Sequence, residues 1–423
     1  MLGILKGIME TAPHARRGIR GSHPSPALER ELALGDDCSI VLLVEALVEH
    51  AHHLRASDIH IEPSRTELLV RARVDGVLEP LATCSLRVHG EVLARIKILA
   101  GLRTDEHFAA QDGRFRQKHG GRHLDVRVSI VPAYYGENAV LRILSDNHAA
   151  FSLESLGFSE HDRSVIEHAI RKTSGMILST GPTGSGKTTT LYTLIKKLAA
   201  PEVSIVTIED PIEYSIESVE QIQVNARSGL TFANGLRSIL RQDPDIIMVG
   251  EIRDAETATI AVNTALTGHL LFSTLHTSDA ATTLPRLTDM GIDPYLVAAT
   301  MNIAIGQRLV RKICEACSSE RSLTAEEHAW LLRLPLRDTE MDSVKYGQGC
   351  DACLGTAYKG RLSISEVLVA ETNIRNAILR KASGEEIRRL ARENGMTTML
   401  DDGFQKVRDG RTSIEEVLRV VHE

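Results

Sequence analysis

The chain has 423 residues, of which 43% are hydrophobic and 25% are charged, and its formal net charge is −7. This length predicts more than one domain, and the acidic balance argues against a surface shaped throughout for nucleic acid. No run approaches the roughly 20 apolar residues of a membrane-spanning helix, and no secretory signal pattern is present. We therefore expect a cytoplasmic protein with sizeable cores.

Residues 1–36 are predicted to be a flexible leader. Prolines and arginines interrupt this stretch at Pro13, Arg16, Arg17, Pro24 and Pro26. A segment of this composition does not bury enough apolar surface to fold alone.

Residues 37–145 are predicted to form a small α+β domain. Apolar residues fall at helical spacing in residues 38–53, and strand patterns on both sides of Asp75–Gly76 indicate a hairpin. The predicted elements are strands at 58–61 and 67–74, a helix at 92–102, a turn at 111–114, and strands at 124–130 and 138–144. Residues 146–158 are predicted to be a linker.

Residues 159–423 show the pattern of an α/β nucleotide-binding core. Short apolar strands alternate with helices, which is typical of a parallel sheet. The predicted strands are 176–178, 203–208, 245–249 and 270–272.

One loop in this core matches the phosphate-binding pattern G-x-x-x-x-G-K-[ST], with an apolar strand before it and a helical pattern after it. Its predicted nucleotide-binding residues are Gly181, Pro182, Thr183, Gly184, Ser185, Gly186, Lys187, Thr188 and Thr189. Backbone N–H groups and the helix N-terminus would hold the phosphates, Lys187 would meet the β- and γ-phosphates, and Thr188 would offer its hydroxyl to Mg²⁺.

Two acids stand at the ends of later strands. Glu209 and Glu251 each follow an apolar strand, and the carboxyl ends of parallel strands share one crevice. Asp210 is as well explained by helix capping. His269 and His276 bracket another strand, and each alone is more often a structural histidine than a catalytic one.

Four cysteines form two C-x-x-C knuckles, Cys314, Cys317, Cys350 and Cys353. Tetrahedral Zn²⁺ takes four thiolates, and each knuckle supplies two. The gap between the knuckles exceeds the usual ribbon spacing, which predicts an inserted zinc lobe at 311–356. A site closed by four protein ligands would be structural.

Read together, five segments resemble the type II secretion and type IV pilus assembly ATPases. They are residues 56–63, 181–188, 207–213, 241–254 and 267–277. The resemblance runs from about residue 36 to the C-terminus. It implies a RecA-like P-loop ATPase core preceded by a small α+β, PAS-like domain, with the four-cysteine lobe inserted in the core.

The resemblance also implies roles for particular residues. Glu209 would help polarise the attacking water, Glu251 would serve Mg²⁺ and water, and His276 would sense the γ-phosphate. Which glutamate is the principal base stays open at this point. Arg127 and Arg142 lie on the last two predicted strands of the small domain, and by resemblance that domain is a mobile lid whose arginines reach the triphosphate.

Proteins of this family form homohexamers on the cytoplasmic side of the inner membrane. They work with platform and docking proteins, so the resemblance implies peripheral membrane association through partners and no direct nucleic-acid contact. The cysteine lobe favours the assembly or secretion branch, because retraction ATPases lack it. Many members of the family carry a further N-terminal docking domain, whereas we expect only the leader before residue 37, which leaves the mode of recruitment open. A nucleic-acid-translocating motor and a nucleotide-binding regulator remain as alternatives.

Overall fold

The computed structural model describes residues 24–119, 122–144, 151–334, 336 and 341–421. It divides into two compact units. The N-terminal unit comprises the described residues of Met1–His148 together with Ile313–Ser319 and Tyr346–Gly360. The C-terminal unit comprises Ala149–Lys312, Glu320–Lys345 and Arg361–Glu423. The two C-x-x-C knuckles are therefore described with the N-terminal unit.

The N-terminal unit is built on a six-stranded sheet with the order β3-β2-β1-β6-β5-β4 and antiparallel neighbours. Its strands are β1 Ala56–Pro63, β2 Glu67–Val74, β3 Val77–Ser85, β4 Gln111–His119, β5 Arg122–Ala133 and β6 Gly136–Leu144. Asp75 and Gly76 both have positive φ, at 48° and 90°, which is the geometry of a tight hairpin turn. The predicted hairpin is confirmed.

Side chains on β5 and β6 alternate between the two faces of this sheet. Val126, Val128 and Leu141 are at most 2% exposed, and helices α1 Pro26–Leu34, α2 Ile40–His53 and α3 His89–Ala100 contribute to the same core. Because successive side chains on a strand point to opposite faces, Arg127 and Arg142 lie on the polar face.

Three features of this unit differ from the sequence predictions. Residues 111–114, predicted as a turn, begin β4, and β3 was not predicted. Residues 26–34, within the predicted leader, form helix α1, which Ser25 caps and whose Leu28 is fully buried. The rest of that prediction, residues 1–23, lies outside the described residues.

The C-terminal unit contains a seven-stranded sheet with the order β15-β12-β7-β11-β10-β8-β9. The pairs from β12 to β9 are parallel, as the sequence predicted. Its strands are β7 Gly175–Thr180, β8 Ile205–Glu209, β9 Glu220–Gln223, β10 Ile246–Val249, β11 Leu270–Leu275, β12 Met301–Ile313 and β15 Tyr358–Val369. A separate two-stranded sheet joins β13 Ser318–Ser322 to β14 Ser343–Gly347.

Helices cover both faces of the large sheet, so its central strands β7, β10 and β11 are buried along their whole length. On β7, Met176 and Leu178 contribute to one buried cluster and Ile177 to another. The remaining helices are α4 Leu153–Leu156, α5 Glu160–Ala169, α6 Lys187–Leu198, α7 Phe232–Ile239, α8 Ala255–Leu266, α9 Ala280–Asp289, α10 Pro294–Thr300, α11 Ala325–Leu331, α12 Thr372–Leu379, α13 Gly384–Glu393, α14 Met399–Arg408 and α15 Ile414–Val421. In the described part of the chain, no helix is both long and apolar enough to span a bilayer.

The register of the sheet brings four strand ends to one edge. Val249 pairs with Ile208 on one side and Ser273 on the other, while Thr180 pairs with Leu275. One of these strands ends at Glu209. The other three are followed directly or closely by the phosphate-binding loop, Glu251 and His276. The fold therefore gathers these predicted residues at the carboxyl edge of the sheet.

Candidate nucleotide-binding site

The phosphate-binding loop has a backbone that requires glycine. Gly181, Gly184 and Gly186 have φ values of 144°, 80° and 91°, which L side chains rarely adopt. A Cβ atom on Gly181 would also lie 2.4 Å from the carbonyl oxygen of Gln307. The loop is thus held tightly against β12, with its backbone free of side chains at the turn.

Helix α6 begins at this loop and presents the N–H groups of its first turn. Its N-cap is Gly186, and no side chain caps the helix. The buried Ser185 Oγ also has no hydrogen-bond partner among the described residues. Unsatisfied donors at a helix N-terminus attract anions, so this arrangement fits a phosphate group.

Lys187 is 8% exposed, and its Nζ donates to the carbonyl oxygens of Gly181 and Pro182 at 2.8 and 3.0 Å. Burial lowers the pKa of this lysine, while the Glu251 carboxylate acts in the opposite direction. The ammonium therefore lies within the loop and within electrostatic reach of the acid that follows β10.

Two basic side chains lie next to the Glu251 carboxylate. His276 Nε2 lies 3.2 Å from Glu251 Oε2, and Arg253 Nη2 lies 2.5 Å from Oε1. The hydrogen bond to Glu251 raises the pKa of Arg253. The Glu251 side chain is 12% exposed, so it is only partly accessible to solvent at the edge of the sheet.

Glu209, by contrast, is 2% exposed and surrounded by donors. Thr207 Oγ1 donates to its Oε1 at 2.6 Å and Gln221 Nε2 donates to the same oxygen at 3.1 Å. The Tyr192 hydroxyl donates to Oε2. Sequence reasoning did not identify Tyr192, Thr207 or Gln221 as part of this site.

His269 does not join this group. It precedes β11, at the amino edge of the sheet, and its Nδ1 lies 3.2 Å from the carbonyl oxygen of Thr264 in α8. That contact favours the structural interpretation of His269. Thr188 and Thr189 lie half-buried in the first turn of α6, beside Lys187.

Arg127 and Arg142 lie in the N-terminal unit, where they face each other across β5 and β6. Arg142 Nε donates to Asp58 Oδ1 at 3.0 Å, and Arg73 Nε lies 3.8 Å from Asp58 Oδ2. Arg114 stands opposite Arg127 on β4. The polar face of this sheet thus carries a row of cations along one line of the register.

The Sγ atoms of the four cysteines all lie within 4.8 Å of one another. The Sγ atoms are 3.9 Å apart for Cys314 and Cys350, and 3.8 Å apart both for Cys317 and Cys353 and for Cys350 and Cys353. Tetrahedral Zn²⁺ with bonds of about 2.3 Å places its sulfur ligands about 3.8 Å apart. The donor set and its spacing therefore fit a zinc ion.

Backbone groups also support this cluster. The N–H of Gly349 donates to Cys317 Sγ at 3.3 Å, and that of Cys350 donates to Cys353 Sγ at 3.1 Å. Burial raises the pKa of Cys317 to about 12. A bound cation would lower that pKa, because thiolates are the form that ligates metal.

Residues 33–419 match the sequence family described as type II/IV secretion system protein. The type II secretion system protein E of Xanthomonas campestris pv. campestris is 46% identical over 392 residues, which are 92% of this chain and 69% of that protein. The type IV pilus assembly ATPase PilB of Thermus thermophilus is 44% identical over 385 residues, 90% of this chain and 43% of that protein.

Solved structures resemble the fold as well. The ATPase DotB of Legionella pneumophila aligns with a TM-score of 0.64 and 25% identity, covering 90% of this chain and 95% of that one. The pilus retraction motor PilT with bound ADP aligns with a TM-score of 0.59 and 25% identity, covering 89% and 96%.

Proposed function

The chain belongs to the type II/IV secretion system protein family, and from this premise we propose that it is the motor that couples ATP hydrolysis to assembly of a type II secretion pseudopilus or a type IV pilus. It is a P-loop ATPase with a role in a secretion or pilus machine. The observation that carries the proposal is the juxtaposition of the phosphate-binding loop with Glu251, Arg253 and His276 at one sheet edge.

The loop would bind the triphosphate through the N–H groups of its glycines and of the first turn of α6, with Lys187 on the β- and γ-phosphates. Mg²⁺ bound with the nucleotide would neutralise charge on the phosphates. The Thr188 hydroxyl and the Glu251 carboxylate are the groups proposed to hold that ion. Both offer the oxygen ligands that Mg²⁺ prefers.

Glu251 is also the group proposed to orient and deprotonate the attacking water. Its partial exposure supports this role, since a base needs a lone pair available to the water. His276, hydrogen-bonded to Glu251, would sense the γ-phosphate. Glu209 would help polarise the water from its buried position at the end of β8.

The N-terminal unit is proposed to act as a lid that supplies Arg127 and Arg142 to the triphosphate within a homohexamer. Arginines stabilise charge on a transferring phosphoryl group, so closure of the lid would couple rotation to hydrolysis. Peripheral association with the inner membrane, through platform and docking proteins on its cytoplasmic side, is proposed from the relatives that act in secretion and pilus assembly. The four cysteines are proposed to hold a structural Zn²⁺.

Phosphate release by the purified chain tests the function. We expect Mg-ATP hydrolysis in a hexameric fraction, and loss of most of it in Lys187→Ala. Lys197→Ala is the matched control, because Lys197 lies in the same helix and pairs with Glu167 at the surface. Absence of hydrolysis at any assembly state, or activation by DNA instead, would contradict the proposal.

A further inference from the structure

Tyr192 links the phosphate-binding helix to the end of β8. It is fully buried and lies four residues after Thr188 on α6, so the two side chains share one face of the helix. Its hydroxyl donates to Glu209 Oε2. The backbone N–H of Glu213 and the Nε2 of Gln221 each lie 3.4 Å from the same hydroxyl and donate to it.

The three described donors to Glu209 come from different elements. Thr207 is on β8, the same strand as Glu209, and Gln221 is on the neighbouring strand β9. Tyr192 comes from α6, which begins at the phosphate-binding loop. Among these donors, it is therefore Tyr192 that ties the carboxylate to the element that would hold the nucleotide.

The surroundings of Tyr192 fix its ring and keep its hydroxyl protonated. Tyr214 packs against it edge-on, with ring centroids 4.7 Å apart. Burial, and then the hydrogen bond to Glu209, raise the pKa of Tyr192. The hydroxyl is thus a permanent donor, and the ring has little freedom to move without moving α6.

We propose that Tyr192 is a positioning residue that fixes Glu209 relative to the bound triphosphate and carries movement of the phosphate-binding helix to residues 209–213. This inference rests on the proposed ATPase function and extends it to a residue outside the phosphate-binding loop. Without the Tyr192 donor, Glu209 Oε2 loses its described partner and the carboxylate can rotate about its side-chain bonds. The catalytic step then suffers more than nucleotide binding, since Tyr192 acts through Glu209.

A double-mutant cycle on the full chain tests the link. Steady-state ATP hydrolysis is measured for wild type, Tyr192→Phe, Glu209→Gln and the double variant. Tyr192→Phe is expected to lower kcat about tenfold, the size of one hydrogen bond to a charged group, with KM changed less than about threefold. In the Glu209→Gln background the same change should have no further effect.

Thr193→Val is the matched control. Thr193 lies beside Tyr192 on α6, but its hydroxyl donates to the Thr189 carbonyl oxygen in the same helix at 2.8 Å. Its kcat should equal that of wild type. Hydrogen exchange gives a second readout: ADP should slow exchange at residues 209–213 in wild type and Thr193→Val, but not in Tyr192→Phe.

Additive losses in the cycle, a change in KM alone, or wild-type activity in Tyr192→Phe would overturn the inference while leaving the ATPase function intact. If Tyr192→Phe does not fold, Gln221→Leu replaces it, because Gln221 Nε2, on the partly exposed strand β9, donates both to the Tyr192 hydroxyl and to the Glu209 carboxylate. Gln221→Leu should lower kcat in the wild-type background and cause no further loss in the Glu209→Gln background. A wild-type chain that hydrolyses no ATP would overturn the function and the inference together.

Discussion

The two glutamates at the carboxyl edge have opposite surroundings. Three donors occupy the oxygens of buried Glu209, whereas partly exposed Glu251 has one basic partner on each oxygen, Arg253 and His276. A carboxylate whose lone pairs are occupied is a poor proton acceptor. At the residue scale, the surroundings therefore favour Glu251 as the principal base and Glu209 as an oriented charge, a choice that the sequence left open.

Glu251→Gln should abolish turnover while leaving the fold intact. Glutamine keeps the shape of the side chain but removes the base, so kcat should fall at least about a hundredfold. Glu256→Gln is the control, because Glu256 pairs with Arg237 on the exposed side of α8. Phosphate release and thermal unfolding of both variants check this. Turnover within threefold of wild type in Glu251→Gln would assign the base elsewhere.

The buried Asp162 should make the stability of the fold depend on pH. Burial and the Asp402 carboxylate raise its pKa to about 6, and its Oδ2 has no hydrogen-bond partner among the described residues. The folded state then binds a proton more readily than the unfolded state. The charged form thus destabilises the fold above pH 6, and this penalty disappears as pH falls towards about 4, the unfolded pKa of Asp.

Asp162→Asn should accordingly raise the free energy of unfolding by roughly 2 kcal/mol at pH 8 and by almost nothing near pH 4. His161 and Lys406 act on the same carboxyl in the opposite direction to Asp402. Urea unfolding at several pH values, with Glu160→Gln on the exposed side of α5 as control, measures this difference. A difference that is constant with pH would contradict the assignment to Asp162.

At the scale of elements, the features predicted from the sequence are those that depend on the local spacing of residues. The phosphate-binding loop, the cysteine knuckles and the hairpin at Asp75–Gly76 each depend on residues close together in the chain. Strand β4 was missed because Gln111–His119 contains one apolar residue, Phe115, and its pairing with β5 is a tertiary effect. Helix α1 did have a readable signal, the Ser25 cap followed by Pro26.

Tyr192 was missed for a related reason. A buried aromatic residue at helical spacing indicates a core position, and its chain neighbours give no sign that its hydroxyl meets Glu209 on another strand. Glu251 was identified because strands in a parallel sheet end at a common edge, whereas the role predicted for His276 came from the family resemblance. Local motifs and strand ends are thus predictable, whereas hydrogen bonds between distant elements require the fold.

The cysteine cluster should behave as a metal-dependent element of the N-terminal unit. Leu354, next to Cys353, packs against the core of that unit, and the N–H of Gly360 donates to Asp75 Oδ2 at 2.9 Å. Cys317→Ser should therefore lose bound zinc and lower the unfolding temperature of this unit.

Elemental analysis for one zinc per chain and thermal unfolding with and without a chelator measure both effects. Cys84→Ser is the matched control, since Cys84 is a half-buried thiol on β3 outside the cluster. Equal zinc content in the two variants would contradict the metal assignment.

At the scale of the whole molecule, the groups proposed to act in ATP hydrolysis lie in two different units of the chain. The C-terminal unit carries the phosphate-binding loop and the glutamates, and the N-terminal unit carries the cationic row that includes Arg127 and Arg142. Neither unit alone contains the complete set of groups proposed for phosphoryl transfer. Hydrolysis should therefore require both units, and in a hexamer they need not come from the same chain.

Mixing two inactive variants tests whether the two units that serve one nucleotide come from different subunits. Arg127→Ala should lower kcat by about a hundredfold or more, as expected for an arginine on a transferring phosphoryl group, and leave the proposed hexamer intact. If one subunit's N-terminal unit serves another subunit's nucleotide, mixed hexamers of Arg127→Ala and Glu251→Gln should regain part of the activity, because some sites combine two intact halves. Arg103→Ala, at an exposed pair with Asp105 in the same unit, is the control. Full activity of Arg127→Ala alone would remove the arginine from the mechanism, whereas inactive mixtures would place both halves of each site in one chain.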